Sequence, residues 1–256
     1  MTQTPRDRSG EPSLGAGSDS TVRPQSGLRA LVVEDETSLA TLLGSYLERD
    51  GLEVSVIHDG LKAVEIARTF DPDVVVLDLG LPGLDGVEVC RQLRTFSNAY
   101  VVMLTARSDE IDTLIGLSVG ADDYITKPFS PRELMARVQV MLRRPRHIGK
   151  DADASQSRQF GPLTIDPVGR DVWLEGAAVS LTRTEFDLLA TLSERPSMAF
   201  SRQQLIEAVW ESTWVGDPHL VDVHIGHLRR KLGGASNQPE FVRTVRGVGY
   251  RMGTGE

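Results

Sequence analysis

Hydrophobic segments alternate with amphipathic ones in the first half of the chain. Five segments are rich in apolar or β-branched residues, and at least three of them are almost continuously apolar, as strands buried on both faces of a sheet are. They are residues 28–33, 53–58, 73–79, 100–106 and 122–126. Apolar residues at helical spacing follow the strands. Five strand–helix repeats predict a doubly wound α/β fold with a five-stranded parallel sheet.

Two features of the predicted helices can be read directly from the sequence. The first helix is expected to bury one apolar face, formed by Leu39, Leu42, Leu43, Tyr46 and Leu47. Three other helix starts carry a hydroxyl residue three positions before Glu or Gln, the pattern of a reciprocal capping box. These pairs are Ser130 with Glu133, Thr182 with Glu185, and Ser201 with Gln204.

The second half of the chain has a different pattern. Residues 145–157 are polar without periodic apolar positions, which is typical of a linker. Residues 158–256 show short strands, then three helices, then an alternating segment with glycines that predicts a closing hairpin. This order predicts a separate α+β domain.

The remaining composition restricts location and chemistry. Residues 1–27 are rich in Pro, Gly, Ser and Thr and lack the apolar core of a secretory signal, which predicts a disordered tail and a cytoplasmic protein. The chain has no apolar run of about 18 residues, so we expect no membrane association. Cys90 is the only cysteine, which excludes an internal disulfide and a multi-cysteine zinc site.

Polar residues stand at the carboxyl ends of four predicted strands. Glu34 and Asp35 follow the first strand, Asp78 ends the third, Thr105 ends the fourth and Lys127 follows the fifth. These ends share one edge of a parallel sheet, where ligands bind. Several carboxylates close together repel one another unless a cation lies between them, and Mg²⁺ prefers oxygen ligands. Asp78 would then be a nucleophile, with Thr105 and Lys127 binding phosphoryl oxygens, so the pattern predicts an aspartyl-phosphate site.

Two other interpretations of these residues stay open. Each residue could be a solvated side chain at a strand end, although four complementary strand ends favour a common site. Phosphohydrolases with an aspartate nucleophile also end a hydrophobic strand in Asp, but they place a second Asp two positions later. This chain has Gly80 there, which disfavours turnover of an external substrate.

The segments VVEDE, VVVLDLGLPGLDG, VVMLTA and ADDYITKPF resemble the receiver domain of bacterial two-component response regulators, over residues 28–144. The resemblance implies that Asp78 accepts a phosphoryl group from a sensor histidine kinase, with Mg²⁺ as cofactor and no external substrate. It implies a cis peptide bond before Pro128. It also implies a metal site in which Asp35, Asp78 and the carbonyl of Gly80 bind Mg²⁺ directly and Glu34 acts through water. Relatives commonly have a larger side chain than Gly80, so the lifetime of the phosphoryl group is expected to differ here.

The same resemblance implies a switch and a dimer. Thr105 would move towards the phosphoryl group while Tyr124 turns inward, as a shift between two packings. Phosphorylation is expected to favour a homodimer through the predicted helix 109–119, the fifth strand and the helix after it. The candidate charged residues of that surface are Asp122, Asp123, Glu133, Arg137 and Arg144.

The segments LTRTEFDLLATL, SRQQLIEAVW, VDVHIGHLRRKL and TVRGVGYRM resemble the winged-helix effector domain of OmpR/PhoB-type regulators. The resemblance implies that residues 221–232 enter the major groove of promoter DNA and that residues 246–250 lie near the minor groove. Val223 and His227 are candidates for base contacts. Candidates for phosphate or groove contacts are Arg229, Arg230, Thr244 and Arg246.

The net charge of −8 argues against nucleic-acid binding only while it is averaged over the chain. Residues 28–142 hold 10 basic and 19 acidic residues, whereas residues 226–251 hold six basic residues and one acidic residue. Dissolved ions screen distant charges, so DNA binding depends on the charge near the contact and not on the net charge of the chain. The sequence therefore predicts a phosphorylation-switched DNA-binding transcription regulator. The alternative is a DNA-binding protein whose receiver serves as a constitutive dimerisation module, which the complete set of Asp35, Asp78, Thr105 and Lys127 disfavours.

Overall fold

The hydrophobic segments of the first half form the predicted five-stranded sheet. The computed structural model describes residues 27–105, 119–143, 157–211, 214, 218–233 and 241–255. All five strands are parallel and lie in the order β2-β1-β3-β4-β5. They are β1 (Arg29–Val33), β2 (Glu53–Ile57), β3 (Val74–Asp78), β4 (Tyr100–Thr105) and β5 (Asp123–Thr126). The doubly wound α/β prediction is confirmed.

Helices pack against this sheet and help to bury its apolar central strands. The helices are α1 (Thr37–Arg49), α2 (Gly60–Phe70), α3 (Gly86–Leu93) and α4 (Pro131–Leu142). Every residue of β3 and β4 is buried, whereas the edge strand β2 is partly exposed. Of the predicted helix 109–119, residues 109–118 lie outside the described residues.

The buried face of α1 is narrower than predicted. Ala40, Leu43, Gly44 and Leu47 are buried, but Leu42 is 43% exposed, so its assignment to the core face was wrong. Gly44 explains the shift because a Cβ at this position would lie 3.2 Å from Val56 Cγ2. The helix therefore packs on the sheet through these four buried residues, which are spaced i, i+3, i+4 and i+7.

Residues 157–255 form a second unit with two small antiparallel sheets and three helices. The first sheet consists of β6 (Arg158–Phe160), β7 (Leu163–Asp166), β8 (Asp171–Leu174) and β9 (Ala177–Ala178). The helices are α5 (Arg183–Glu194), α6 (Arg202–Trp210) and α7 (His219–Lys231). The second sheet has the order β10-β12-β11, with β10 (Phe200–Ser201), β11 (Val242–Val245) and β12 (Gly249–Met252). The predicted α+β domain with a closing hairpin is confirmed.

Two of the three predicted capping boxes form. Thr182 with Glu185, and Ser201 with Gln204, make both reciprocal hydrogen bonds. At α4 the prediction was wrong: the Ser130 hydroxyl accepts a hydrogen bond from the Arg132 amide, and the Glu133 carboxylate lies 2.8 Å from the Arg137 guanidinium. The ion pair one turn along the helix takes the carboxylate that a capping box would use.

Nearly all of the predicted tail and of the predicted linker lies outside the described residues, so their boundaries stay predictions. Within the described part of the chain, no helix combines the length and apolar character needed to cross a bilayer.

Candidate functional site

Three carboxylates meet at the carboxyl edge of the parallel sheet. Ligand atoms of Glu34, Asp35 and Asp78 all lie within 4.8 Å of one another. Asp78 is the last residue of β3, and the other two follow β1 directly. Glu34 and Asp78 are buried, while Asp35 is exposed. Three hard oxygen donors with one side open to solvent fit a hydrated Mg²⁺ ion.

Lys127 compensates part of this negative charge. Its Nζ donates to Glu34 at 2.8 and 3.0 Å and lies 3.2 Å from Asp78 Oδ1. Burial and the nearby charge of Asp78 raise the pKa of Glu34 above its ordinary value, against the opposing effect of Lys127. For Lys127, burial lowers the pKa, but the hydrogen bond to Glu34 and the charges of both carboxylates outweigh it, so the net pKa is raised. Lys127 therefore carries its positive charge at neutral pH.

Glycines shape the space on two sides of Asp78. At Gly86, the first residue of α3, a Cβ would collide with the carbonyl oxygen of Asp78, so only glycine lets the helix begin this close to the strand. At Gly80, a Cβ would meet only the Asp78 carboxylate, at 3.4 Å. The exposed position of Gly80 leaves this side of Asp78 open to solvent.

The predicted switch residues lie on neighbouring strands. Thr105 ends β4 and is buried, directly after Leu104, the register partner of Asp78. Tyr124 lies on β5 opposite Met103 and is half-buried. The Lys127–Pro128 peptide bond is cis, as the resemblance implied.

One residue of this edge was missed by the sequence reasoning. His58 Nδ1 lies 2.7 Å from the carbonyl oxygen of Glu34. His58 follows β2, whose carboxyl end lies at the same edge of the sheet. The other candidates were found because they stand at the carboxyl ends of parallel strands, and the same criterion applies to His58.

The predicted DNA-contact residues separate into exposed and buried groups. Arg230, Thr244 and Arg246 are exposed. Val223 is half-buried and His227 is only 6% exposed. Burial, with the charges of His224, Arg230 and Lys231 adding to it, lowers the pKa of His227 to about 4 against the opposing charge of Glu185. In this arrangement the structure does not present His227 to a base, because the side chain is neutral and inside.

Hydrogen bonds join α7 to the hairpin β11–β12. Arg229 donates to the carbonyl oxygen of Val242 at 2.8 Å and to Thr244 Oγ1 at 2.7 Å. Asp222 accepts from the Tyr250 hydroxyl at 2.7 Å and from Arg202 of α6 at 2.7 Å. Two residues that were predicted as DNA contacts, Arg229 and Thr244, thus also bind each other.

Most residues of the predicted dimer surface are covered by the second unit or by their neighbours. Asp122, Asp123 and Arg137 are buried, with exposed fractions of 1%, 0% and 8%. Arg137 pairs with Asp123 at 2.8 Å and with the exposed Glu133 at 2.8 Å. Arg144 lies outside the described residues. Of the candidate charged residues that the structure describes, only Glu133 is exposed in this arrangement.

Comparison with known proteins identifies both units. Residues 30–139 match the family model of the response regulator receiver domain, and residues 176–252 match that of the C-terminal domain of transcriptional regulatory proteins. The DNA-binding response regulator MtrA of Mycolicibacterium smegmatis is 44% identical over 225 residues, which covers 88% of this chain and 96% of MtrA. PhoP of Bacillus subtilis, a transcriptional regulatory protein of alkaline phosphatase synthesis, is 42% identical over 230 residues, 88% of this chain and 96% of PhoP. A solved structure of a RitR point mutant has a TM-score of 0.70 at 32% identity and covers 88% of this chain and 99% of that one.

Proposed function

The chain belongs to the DNA-binding response regulators of the OmpR/PhoB type, and on that premise we propose that Asp78 is its phosphorylation site. The observation that carries the proposal is the convergence of Glu34, Asp35, Asp78 and Lys127 at one edge of the sheet. A sensor histidine kinase is the proposed donor.

The residues at this edge divide the phosphoryl transfer between them. The Asp78 carboxylate attacks the phosphorus atom, the bond between phosphorus and the donor's histidine nitrogen breaks, and that nitrogen keeps the electron pair. Lys127 binds one phosphoryl oxygen, and the Thr105 hydroxyl donates to another. Mg²⁺, held by Glu34, Asp35, Asp78 and the carbonyl of Gly80, would neutralise the charge of the incoming group.

Lys127 has to change partners during this step. Before transfer its ammonium group is shared between Glu34 and Asp78. The phosphoryl group adds negative charge next to Asp78 and therefore competes with Glu34 for the same donor. Movement of Lys127, at the end of β5, and of Thr105, at the end of β4, would shift the equilibrium between the two packings of Tyr124.

Further parts of the function are proposed on the same premise. The protein takes part only in its own phosphorylation and dephosphorylation, acts in the cytoplasm where kinase and DNA meet, and forms a homodimer when phosphorylated. The dimer then places two DNA-binding domains on promoter DNA. Arg229, Arg230, Thr244 and Arg246 contact phosphates or grooves, and Val223 and His227 contact bases after α7 becomes accessible.

Phosphorylation with a small donor tests the proposal. Wild type incubated with acetyl phosphate and Mg²⁺ is expected to gain the mass of one phosphoryl group, and Asp78→Asn is expected to gain none. Asp59→Asn is the matched control, because Asp59 caps α2 through its side chain and asparagine caps equally well. A phosphoryl group on Asp78→Asn would overturn the assignment. Equal DNA binding by phosphorylated and unphosphorylated wild type would instead favour the constitutive dimerisation module.

A further inference from the structure

His58 supplies a hydrogen bond at the point where the parallel ladder between β1 and β2 ends. The last register pair of the two strands is Val33 with Ile57, and the Glu34 amide still donates to the carbonyl oxygen of Ile57 at 3.1 Å. Just beyond this pair, His58 Nδ1 lies 2.7 Å from the carbonyl oxygen of Glu34. A carbonyl oxygen only accepts, so Nδ1 carries the hydrogen and donates it. A side chain therefore binds the acceptor that a longer backbone ladder would have used.

This hydrogen bond acts on the peptide group that joins two of the three carboxylate residues. The carbonyl group of Glu34 and the backbone nitrogen of Asp35 belong to the same peptide. The side chain of Glu34 is held separately, because its carboxylate accepts from Lys127 Nζ at 2.8 and 3.0 Å. A peptide group is planar, so a donor that holds its oxygen also restricts the direction in which the chain continues into Asp35.

The Asp35 carboxylate depends on this backbone for its position. Asp35 is exposed, and within the described part of the chain its carboxylate makes no hydrogen bond or ion pair. The start of α1 adds little restraint, since Glu36 at the N-cap makes no capping hydrogen bond through its side chain. A ligand side chain without partners of its own is oriented by the contacts that hold its main chain. The donor at the Glu34 carbonyl is such a contact.

The segment that carries His58 is itself well placed. Asp59 caps α2 through its side chain. At Gly60, a Cβ would collide with the carbonyl oxygen of Leu84, so the backbone here packs directly against the loop between β3 and α3. The same loop carries Gly80, whose carbonyl is part of the proposed metal site. His58 therefore lies on a segment that contacts both loops from which the proposed metal ligands come.

We propose that His58 is a positioning residue for Mg²⁺ binding: its hydrogen bond to the Glu34 carbonyl oxygen orients the following peptide so that the Asp35 carboxylate faces the ion. The inference rests on the proposed function, because that function supplies the Mg²⁺ and assigns Asp35 to it. In this role His58 binds neither the ion nor the phosphoryl group. Its loss weakens Mg²⁺ binding and leaves the chemistry at Asp78 unchanged.

Titration of the unphosphorylated full chain with Mg²⁺ tests this role directly. His58→Leu removes the donor at an exposed position, and the dissociation constant for Mg²⁺, measured by isothermal titration calorimetry, is expected to rise roughly tenfold. His58→Asn is the conservative variant, because its amide nitrogen is bonded to Cγ as Nδ1 is, and it should recover most of the affinity. His219→Leu makes the same change at an exposed histidine of α7 and is the matched control.

Two results of this titration would overturn the proposal. The first is equal Mg²⁺ affinity of His58→Leu and the control. The second is an equal loss of affinity in His58→Leu and His58→Asn, because the ring and not its hydrogen bond would then be responsible. His58→Ser, whose hydroxyl is too short to reach the carbonyl, should match His58→Leu and gives the same comparison where leucine impairs folding.

The rate of phosphorylation by acetyl phosphate at varied Mg²⁺ separates positioning from a direct part in the transfer. His58→Leu should need roughly tenfold more Mg²⁺ for its half-maximal rate and reach the wild-type rate at saturation. A lower maximal rate with unchanged half-saturation would contradict the proposal. Failure of wild type to take up a phosphoryl group would contradict the proposed function instead, and the Mg²⁺ affinities would still decide the role of His58.

Discussion

Lys127 Nζ lies closer to Glu34 than to Asp78, at 2.8 Å from Glu34 Oε2 and 3.2 Å from Asp78 Oδ1. Its first role is therefore to neutralise a completely buried glutamate. A single ammonium group thus contributes both to the stability of the unphosphorylated protein and to binding of the phosphoryl group.

Replacing Lys127 separates these two contributions. Lys127→Met leaves Glu34 buried without its cation, and we expect a loss of roughly 1–3 kcal/mol in the free energy of unfolding. Urea unfolding without Mg²⁺ measures it. Lys127→Arg keeps the charge and should recover most of the stability. Equal stability of Lys127→Met and wild type would contradict this account of Glu34.

Gly80 offers a test of solvent access to Asp78. Gly80→Met adds a side chain where a Cβ meets only the Asp78 carboxylate, so the fold should tolerate it. Partial exclusion of water from the phosphoryl group is expected to lengthen its lifetime, by about two- to tenfold. Loss of the phosphoryl mass over time gives the rate, and Gly80→Ala, which adds only the Cβ, is the control. A lifetime equal in Gly80→Met and Gly80→Ala would show that the longer side chain does not shield the group.

Two adjacent arginines on α7 are expected to behave differently. Arg230 is exposed, so Arg230→Ala should leave stability unchanged, weaken duplex binding for all sequences and lower the salt slope by roughly 0.9. Binding measured between low and moderate salt gives the slope. Arg132→Ala, at an exposed position on α4, is the control. A salt slope like that of wild type would remove Arg230 from the phosphate contacts.

Arg229 is hydrogen-bonded to the hairpin, so replacing it should also lower the stability of the domain. Arg229→Ala removes hydrogen bonds to Val242 and Thr244 and is expected to lower the free energy of unfolding by about 1–2 kcal/mol. Thermal or urea unfolding beside Arg230→Ala measures the difference. Equal stability of the two variants would mean that these hydrogen bonds add nothing.

The buried His227 predicts a loss of stability in mild acid. Burial lowers its pKa to about 4 from an ordinary value of 6.5, so between these values the unfolded chain binds more protons than the folded one. The contribution of His227 to the free energy of unfolding is therefore complete above pH 6.5 and decreases as the pH falls towards 4. At pH 5 the loss due to His227 is about 1–2 kcal/mol. Unfolding of wild type and His227→Gln should therefore differ more at pH 7 than at pH 5, and a pH-independent difference would exclude this effect.

The parallel sheet and its functional edge were predictable because both depend on local sequence. Continuous apolar segments indicate buried strands, and parallel topology then brings the ends of separate strands to one edge, which placed Asp78 beside Glu34 and Asp35. The same reasoning applied to β2 would have found His58. Local patterns were less reliable where a neighbour competes: Arg137 takes the Glu133 carboxylate from the predicted capping box, and the close contact of Gly44 with Val56 turns Leu42 outward.

The contact between the two domains was not predictable in this way. Tyr100 and Asp187 are 87 positions apart, and Asp123 and Trp214 are 91 apart. Nothing in the local pattern around either partner marks the other. The sequence therefore identified Asp123 and Arg137 as surface charges, and only the tertiary arrangement shows what covers them.

The hydrogen bonds between α7 and the hairpin have a consequence for variation in DNA preference. Asp222 fixes α7 to Tyr250 and to Arg202, and a Cβ at Gly249 would collide with the carbonyl oxygen of Phe200. The base of the hairpin is therefore hydrogen-bonded to α7 and packed closely against β10. Its tip is different: Arg246 and Val248 are exposed. Substitutions at these two exposed positions therefore change the surface of the hairpin tip, where Arg246 is a proposed DNA contact, without altering the framework that carries them.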